Sequence, residues 1–152
     1  PDGSRESVDK KSYDGVHIYN EKYASTPPAI FFTQFDGLLN YGMQDFEWDD
    51  EAEKDLRDLI SWLVSNGVVV ELFLTPYHPV LFQRMLSEKP IYAQIEGRFI
   101  DVANDLGLRL LGSYDPNKVG CSEREFFDGM HPRGSCMAKA LVEIERQDRG
   151  AR

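Results

Sequence analysis

The sequence is poor in cysteine, in basic charge and in long apolar runs, and each shortage closes off a class of protein. Only Cys121 and Cys136 are present, too few for a disulfide framework and without the paired spacing of a zinc site. Two unpaired thiols are the expectation, with a bridge across the segment between them as the alternative. Lys and Arg total 17 against 26 Asp and Glu, a formal charge of -9. A field of that sign repels nucleic acid and anionic membrane surfaces, so non-specific binding to either is not expected. No apolar run approaches the roughly 20 residues that cross a bilayer, so no membrane span is expected. The opening PDGSRESVDKK has no apolar signal-peptide core. It also lacks Met, so the chain reads as a processed or excised piece.

What is present suits one folded domain: 152 residues, 41% hydrophobic and 28% charged, enough to bury a core. Residues 1–28 are polar and broken by Gly3, Gly15 and Pro27-Pro28, and they read as an arm with a short strand at Val16–Tyr19. The domain proper spans 29–152. Ala29 to Thr33 is a short apolar run that predicts a strand, followed by a loop from Thr33 to Trp48. From Asp49 to Asn66 the spacing of Leu56, Leu59, Ile60 and Leu63 predicts a helix. Asp49 or Asp50 can cap it, Glu53 is placed for a capping box, and Asn66-Gly67 ends it.

VVVELFLTP, Val68 to Pro76, predicts a strand covered on both faces, as in a parallel sheet. Ile91 to Leu106 predicts a second helix, stopped by Gly107, and Leu108 to Tyr114 a further buried strand. Ser135 to Arg146 closes the chain as a helix. Strands alternating with helices predict a parallel α/β sheet with right-handed crossovers. Ligands of such sheets collect beyond the carboxyl ends of the strands. Three loops occupy that edge: Thr33 to Trp48, Thr75 to Pro79, and Tyr114 to Pro132.

The third loop carries DGMHP, with Asp128 and His131 three residues apart. A neutral imidazole, with a pKa of about 6.5, can take a proton from a nucleophile and return it to a leaving group. A carboxylate that accepts from the other ring nitrogen fixes the tautomer this needs. A tight turn can bring the two side chains together, with Gly129 giving freedom in φ and Pro132 stiffening the exit. The alternative is a histidine at a helix N-terminus with Asp128 capping the turn.

FFDGMHP, followed by a Gly and an alanine-containing helix, resembles the last motif block of the SGNH (GDSL-type) hydrolases. Upstream, SNG followed by VVVELFLTPYHP resembles that family's penultimate helix and a strand ending in a Pro-rich loop, and LGLRLL from Leu106 to Leu111 resembles its last strand. The similarity runs from about Ala29 to Ile144. It implies a three-layer α/β/α sandwich with a parallel sheet, of SGNH-hydrolase or flavodoxin-like type, incomplete at its N-terminus. It also implies a serine esterase or O-acyltransferase/deacetylase acting on an acylated carbohydrate or similar ester. His131 would be general base and then general acid, oriented by Asp128. No metal or organic cofactor is required, and a bacterial cell-envelope setting is favoured.

The departures concern the rest of that machinery. The family's nucleophile sits in a Gly-Asp-Ser block after a first strand, and no such pairing exists here. Asp2-Gly3-Ser4 lacks the strand, so Ser4 is read as a terminal residue and the nucleophile as lying upstream. Where the family's oxyanion-hole Asn should follow the first strand stands Asn40-Tyr41-Gly42, which makes Asn40 the candidate, or else a plain loop residue. Tyr41, Trp48 and His78 are candidates for lining an acyl or sugar pocket, against ordinary packing or, for His78, a surface position between prolines. Two rivals stand beside the esterase. One is a non-catalytic binding or scaffold domain of the same fold. The other is a metal-dependent phosphoesterase using Asp128, His131 and His78 as ligands, against which no second acidic cluster has ligand spacing.

Overall fold

A computed structural model of the chain describes residues 10–11, 17–18, 32–42 and 46–149. Two strands organise it, β3 (Glu71–Leu74) and β4 (Arg109–Gly112), paired in parallel from Glu71 opposite Arg109 to Leu74 opposite Gly112. An ion pair between Arg109 and Glu71 at 3.1 Å marks the start of that register. Parallel neighbours need a crossover connection. Here it contains two helices, α3 (Pro79–Glu88) and α4 (Tyr92–Leu106). The molecule is therefore a mixed helix and strand structure around a small parallel pair, the relation the sequence predicts for these two strands.

Only α4 is predicted; α3 falls in what the sequence presents as a proline-rich loop and its sequel. Pro79 occupies the first helical position, where its missing N–H costs nothing. Leu81, Phe82 and Met85 then bury one face. The start was hidden because its cap is His78, outside the usual capping residues.

Upstream, α2 (Asp50–Ser65) begins at Asp49, whose side chain accepts from the N–H groups of Glu51 and Ala52. That register puts Glu53 one place too far along for a capping box. Its carboxylate instead takes the Trp48 indole N–H at 2.8 Å and Arg57 at 2.8 Å. Of the predicted inner face only Ile60 is fully buried, while Leu59 is 54% exposed. The run before β3 is also barer than predicted, with Val69 89% exposed. Among the described residues this sheet has two strands, too narrow to cover every face of its flanking segments.

The strand predicted at Ala29–Thr33 is not formed where it is described. Phe32–Gly37 is helix α1, continued by a π-helical turn at Leu38–Gly42, while Ala29 to Phe31 lie outside the described residues. The physical reason is a four-residue repeat: Phe35 and Leu39, one helical turn apart, are both buried against Leu81 and Met85 of α3. Burial of that pair overrides the strand preference of the local sequence. In the arm, β1 (Lys10–Lys11) and β2 (His17–Ile18) pair antiparallel, so the short strand predicted at Val16–Tyr19 is present at its centre. The chain closes with α5 (Gly134–Arg149), which packs through Cys136 and Ala140 onto a cluster that includes Phe126 and Phe73 of β3. Among the described residues no helix is long and apolar enough to cross a membrane.

Gly112 ends β4 with φ at 75°, and a Cβ there would collide with the carbonyl oxygen of Leu74 across the sheet. Gly112→Ala should therefore destabilise the fold by roughly 1–3 kcal/mol or more, the cost of a strained backbone position. Urea unfolding followed by circular dichroism measures it, and a midpoint unchanged by the substitution would show that this exit from the sheet is not required.

Candidate functional site

The DGMHP loop folds on itself before it meets anything else. Phe126 and Pro132 form an antiparallel bridge, and the Phe127 N–H donates to the His131 carbonyl at 2.9 Å. Inside this ring the Asp128 carboxylate accepts the N–H groups of Met130 at 2.8 Å and His131 at 2.9 Å, as aspartates do in tight turns. The same carboxylate lies 2.8 Å from His131 Nδ1, which brings together the two residues predicted to pair. Asp128 is largely covered, with a side chain 13% exposed, whereas that of His131 is 57% exposed. With Nδ1 donating to Asp128, the neutral ring carries its lone pair on Nε2. A general base needs that tautomer. Both readings of Asp128, turn cap and partner of the imidazole, hold at once.

Gly129 is required here for a different reason from the predicted one. Its φ is not positive. A Cβ would instead lie 2.7 Å from both Phe35 and Leu81, too close for any side chain. The loop thus rests directly on the α1–α3 core. A main-chain hydrogen bond from His78 N–H to the Gly129 carbonyl, 2.9 Å, joins it to the segment after β3. His78 is fully buried, with its ring 5.4 Å from those of Phe35 and Phe126, so it neither sits on the surface nor lines an open pocket. Burial holds its pKa below the usual histidine value, against the raising influence of Glu123 and Asp128. Its Nδ1 accepts the Val80 N–H at 3.2 Å. The grouping of Asp128, His131 and His78 as metal ligands is not formed, and no other cluster that could hold a metal exists among the described residues.

Beside the loop lies a cavity of about 320 Å³ between α3, α4 and the segments after both strands. Trp48 and Tyr77 are in its wall, with Phe82 and Met85 from α3 and Tyr92 and Phe99 from α4. Trp48, one of the candidate lining residues, is thus part of a cavity wall. Asn40 belongs to the π-helical turn and is exposed, so it is not the loop residue the sequence suggests, and Tyr41 shares that turn while its side chain lies outside the described part. Ser4 also lies outside the described residues. Sequence reasoning missed Tyr77 and Tyr114, which stand just beyond the carboxyl ends of the two strands. Tyr77 N–H donates to the Tyr114 carbonyl at 3.1 Å. Glu96 of α4 holds the second segment by accepting from the Ser113 hydroxyl at 2.9 Å and the Tyr114 N–H at 3.0 Å.

The two cysteines form a disulfide, contrary to the expected free thiols. Both lie in the cluster beneath Phe126, where the final helix returns under the loop, so the fold itself brings the sulfurs together. Glu125 reinforces the clamp. The Lys139 ammonium at 2.6 Å, helped by the N–H and hydroxyl of Ser122, holds its carboxyl down at about 2 despite opposing burial. Arg133 adds a bond to the Phe126 carbonyl at 3.1 Å and stacks 4.2 Å over Phe127. Comparison of the chain with protein-family models, curated proteins and solved structures finds no match.

The bridge closes a separation of 15 residues, for which the loss of unfolded-chain freedom corresponds to about 3 kcal/mol. Thiol titration of the denatured chain should find no free sulfhydryl before reduction and two after it. Reduction should lower the urea midpoint by an amount equivalent to about 3 kcal/mol. Coincident unfolding of the oxidised and reduced forms would mean that the bridge does not restrain the loop.

Proposed function

We propose that the chain carries the acid–base half of a serine esterase or O-acyltransferase, acting on an acylated carbohydrate or a similar ester. The observation that carries the reading is the 2.8 Å contact between His131 Nδ1 and Asp128 in a closed loop beyond the carboxyl end of a parallel strand. In this reading His131 Nε2 takes the proton of an attacking hydroxyl and later returns it to the departing alkoxide, while Asp128 stabilises the imidazolium formed between the two steps. The resemblance of FFDGMHP to the SGNH hydrolases points the same way, and the three-layer sandwich of that family belongs to the same proposal.

The hydroxyls closest in sequence are engaged elsewhere: Ser122 and Ser135 both hydrogen-bond Glu125, and Ser113 donates to Glu96. Within this proposal the nucleophile is a serine supplied upstream. The Asp-His pair only activates a hydroxyl, and without one the covalent route is closed.

Aryl-ester hydrolysis tests this, measured on the 152-residue chain and on a version extended upstream. The chain alone should stay near background and be indifferent to Ser4→Ala. The extended protein should turn over, lose several orders of magnitude with His131→Ala, and lose about 10⁴-fold with Asp128→Asn, which disturbs the tautomer. Vigorous turnover by the 152-residue chain that survives His131→Ala would put the chemistry elsewhere.

A further inference from the structure

We propose that the aromatic cavity between α3 and α4 binds an unbranched aliphatic chain, which selects an acyl chain rather than a sugar ring as its ligand. At about 320 Å³ it lies at the lower end of the range of small-molecule clefts. Among the described residues its lining contains no charged side chain. Trp48 has already committed its indole N–H to Glu53 at 2.8 Å. The remaining polar groups on the described side chains of the wall are phenols. Burial raises the pKa of Tyr77, Tyr92 and Tyr114, the last to about 12, so all three stay uncharged.

A sugar ring carries several hydroxyls, and each one buried without a partner costs about 1–3 kcal/mol. Carbohydrate sites meet that demand with amides and carboxylates, and none lines this cavity among the described residues. The rings also meet one another at tilted or edge-on angles, Phe46 with Tyr92 at 5.3 Å and Trp48 with Phe99 at 5.8 Å. They form a slot for a narrow apolar body. Met85, 1% exposed, closes one side with an unbranched side chain that adapts to what it meets.

The position fits a ligand site. Tyr77 and Tyr114 follow the two parallel strands, on the edge where ligands of such sheets collect. The residue after Tyr77 is His78, whose N–H is bonded to the Gly129 carbonyl in the DGMHP loop. The cavity wall and the loop are thus joined through this segment. That link to catalysis rests on the esterase proposal; the binding itself does not.

The chain has two tryptophans, so Trp62→Phe, at a position 62% exposed, leaves Trp48 as the only indole reporter. Titration with butan-1-ol, hexan-1-ol and octan-1-ol should change its emission saturably. Affinity should tighten about fourfold per added methylene, which corresponds to about 0.8 kcal/mol per buried CH₂. Ile95→Phe, which fills the slot, and Phe46→Lys, which places a charge at its partly exposed rim, should each weaken octan-1-ol at least tenfold. The rim variant keeps the test decisive if the filled variant does not fold. A neutral disaccharide should give no response. Repeating the series in His131→Ala separates the two proposals, because alkanol binding should persist there while ester chemistry is lost. No saturable response, a response independent of chain length, or tighter binding of the disaccharide than of octan-1-ol would overturn the assignment.

Discussion

Everything at the candidate site depends on the parallel pairing of Glu71–Leu74 with Arg109–Gly112. A parallel pair sends both of its outgoing segments to the same edge, whereas an antiparallel pair would send them to opposite ends. Tyr77, His78, Tyr114 and the DGMHP loop are neighbours for that reason. Two main-chain hydrogen bonds then fix the outgoing segments to one another, Tyr77 N–H to Tyr114 and His78 N–H to Gly129. The pairing leaves Gly112 no room for a side chain, so the geometry that creates the site also dictates a residue at its base.

Within that frame Asp128 has two functions. Its carboxylate gathers two main-chain N–H groups and the imidazole of His131, so the charge that shapes the turn also orients the ring. Such a carboxylate cannot be removed without disturbing the loop, and for this reason the Asn variant, which keeps an oxygen acceptor, is the informative substitution. Outside the loop, the disulfide and the Lys139–Glu125 pair tie its upstream flank to the final helix, which its downstream end enters directly. A turn of this kind has little core of its own, and these links give it rigidity.

The helices with strong periodicity and the Asp-His contact were legible in the sequence because each rests on spacing within a short stretch, and the parallel pair because a helical pattern separates two apolar runs. The misreadings share one physical cause. Ala29 to Thr33 looks like a strand by composition, but Phe35 and Leu39 could be seen as a helical pair only once Leu81 and Met85 were known to face them. Gly129 looks like a conformational glycine, and its true constraint is the proximity of Phe35 and Leu81, residues distant in sequence. His78 and the disulfide were misjudged in the same way, since burial and pairing are properties of the folded chain. The aromatic cavity assembles residues from Phe46 to Tyr114 and leaves no local signature.

If Asp128 holds His131 in one tautomer, nitrogen-edited NMR of the neutral imidazoles will show which ring nitrogen carries the proton. His131 should carry its proton on Nδ1, with Nε2 bare. His78 supplies an internal reference of opposite kind, because its Nδ1 accepts from Val80 and its proton must therefore sit on Nε2. In Asp128→Asn the His131 pattern should shift away from the Nδ1–H form while His78 stays as it is. A wild-type His131 protonated on Nε2, unmoved by that substitution, would contradict the account.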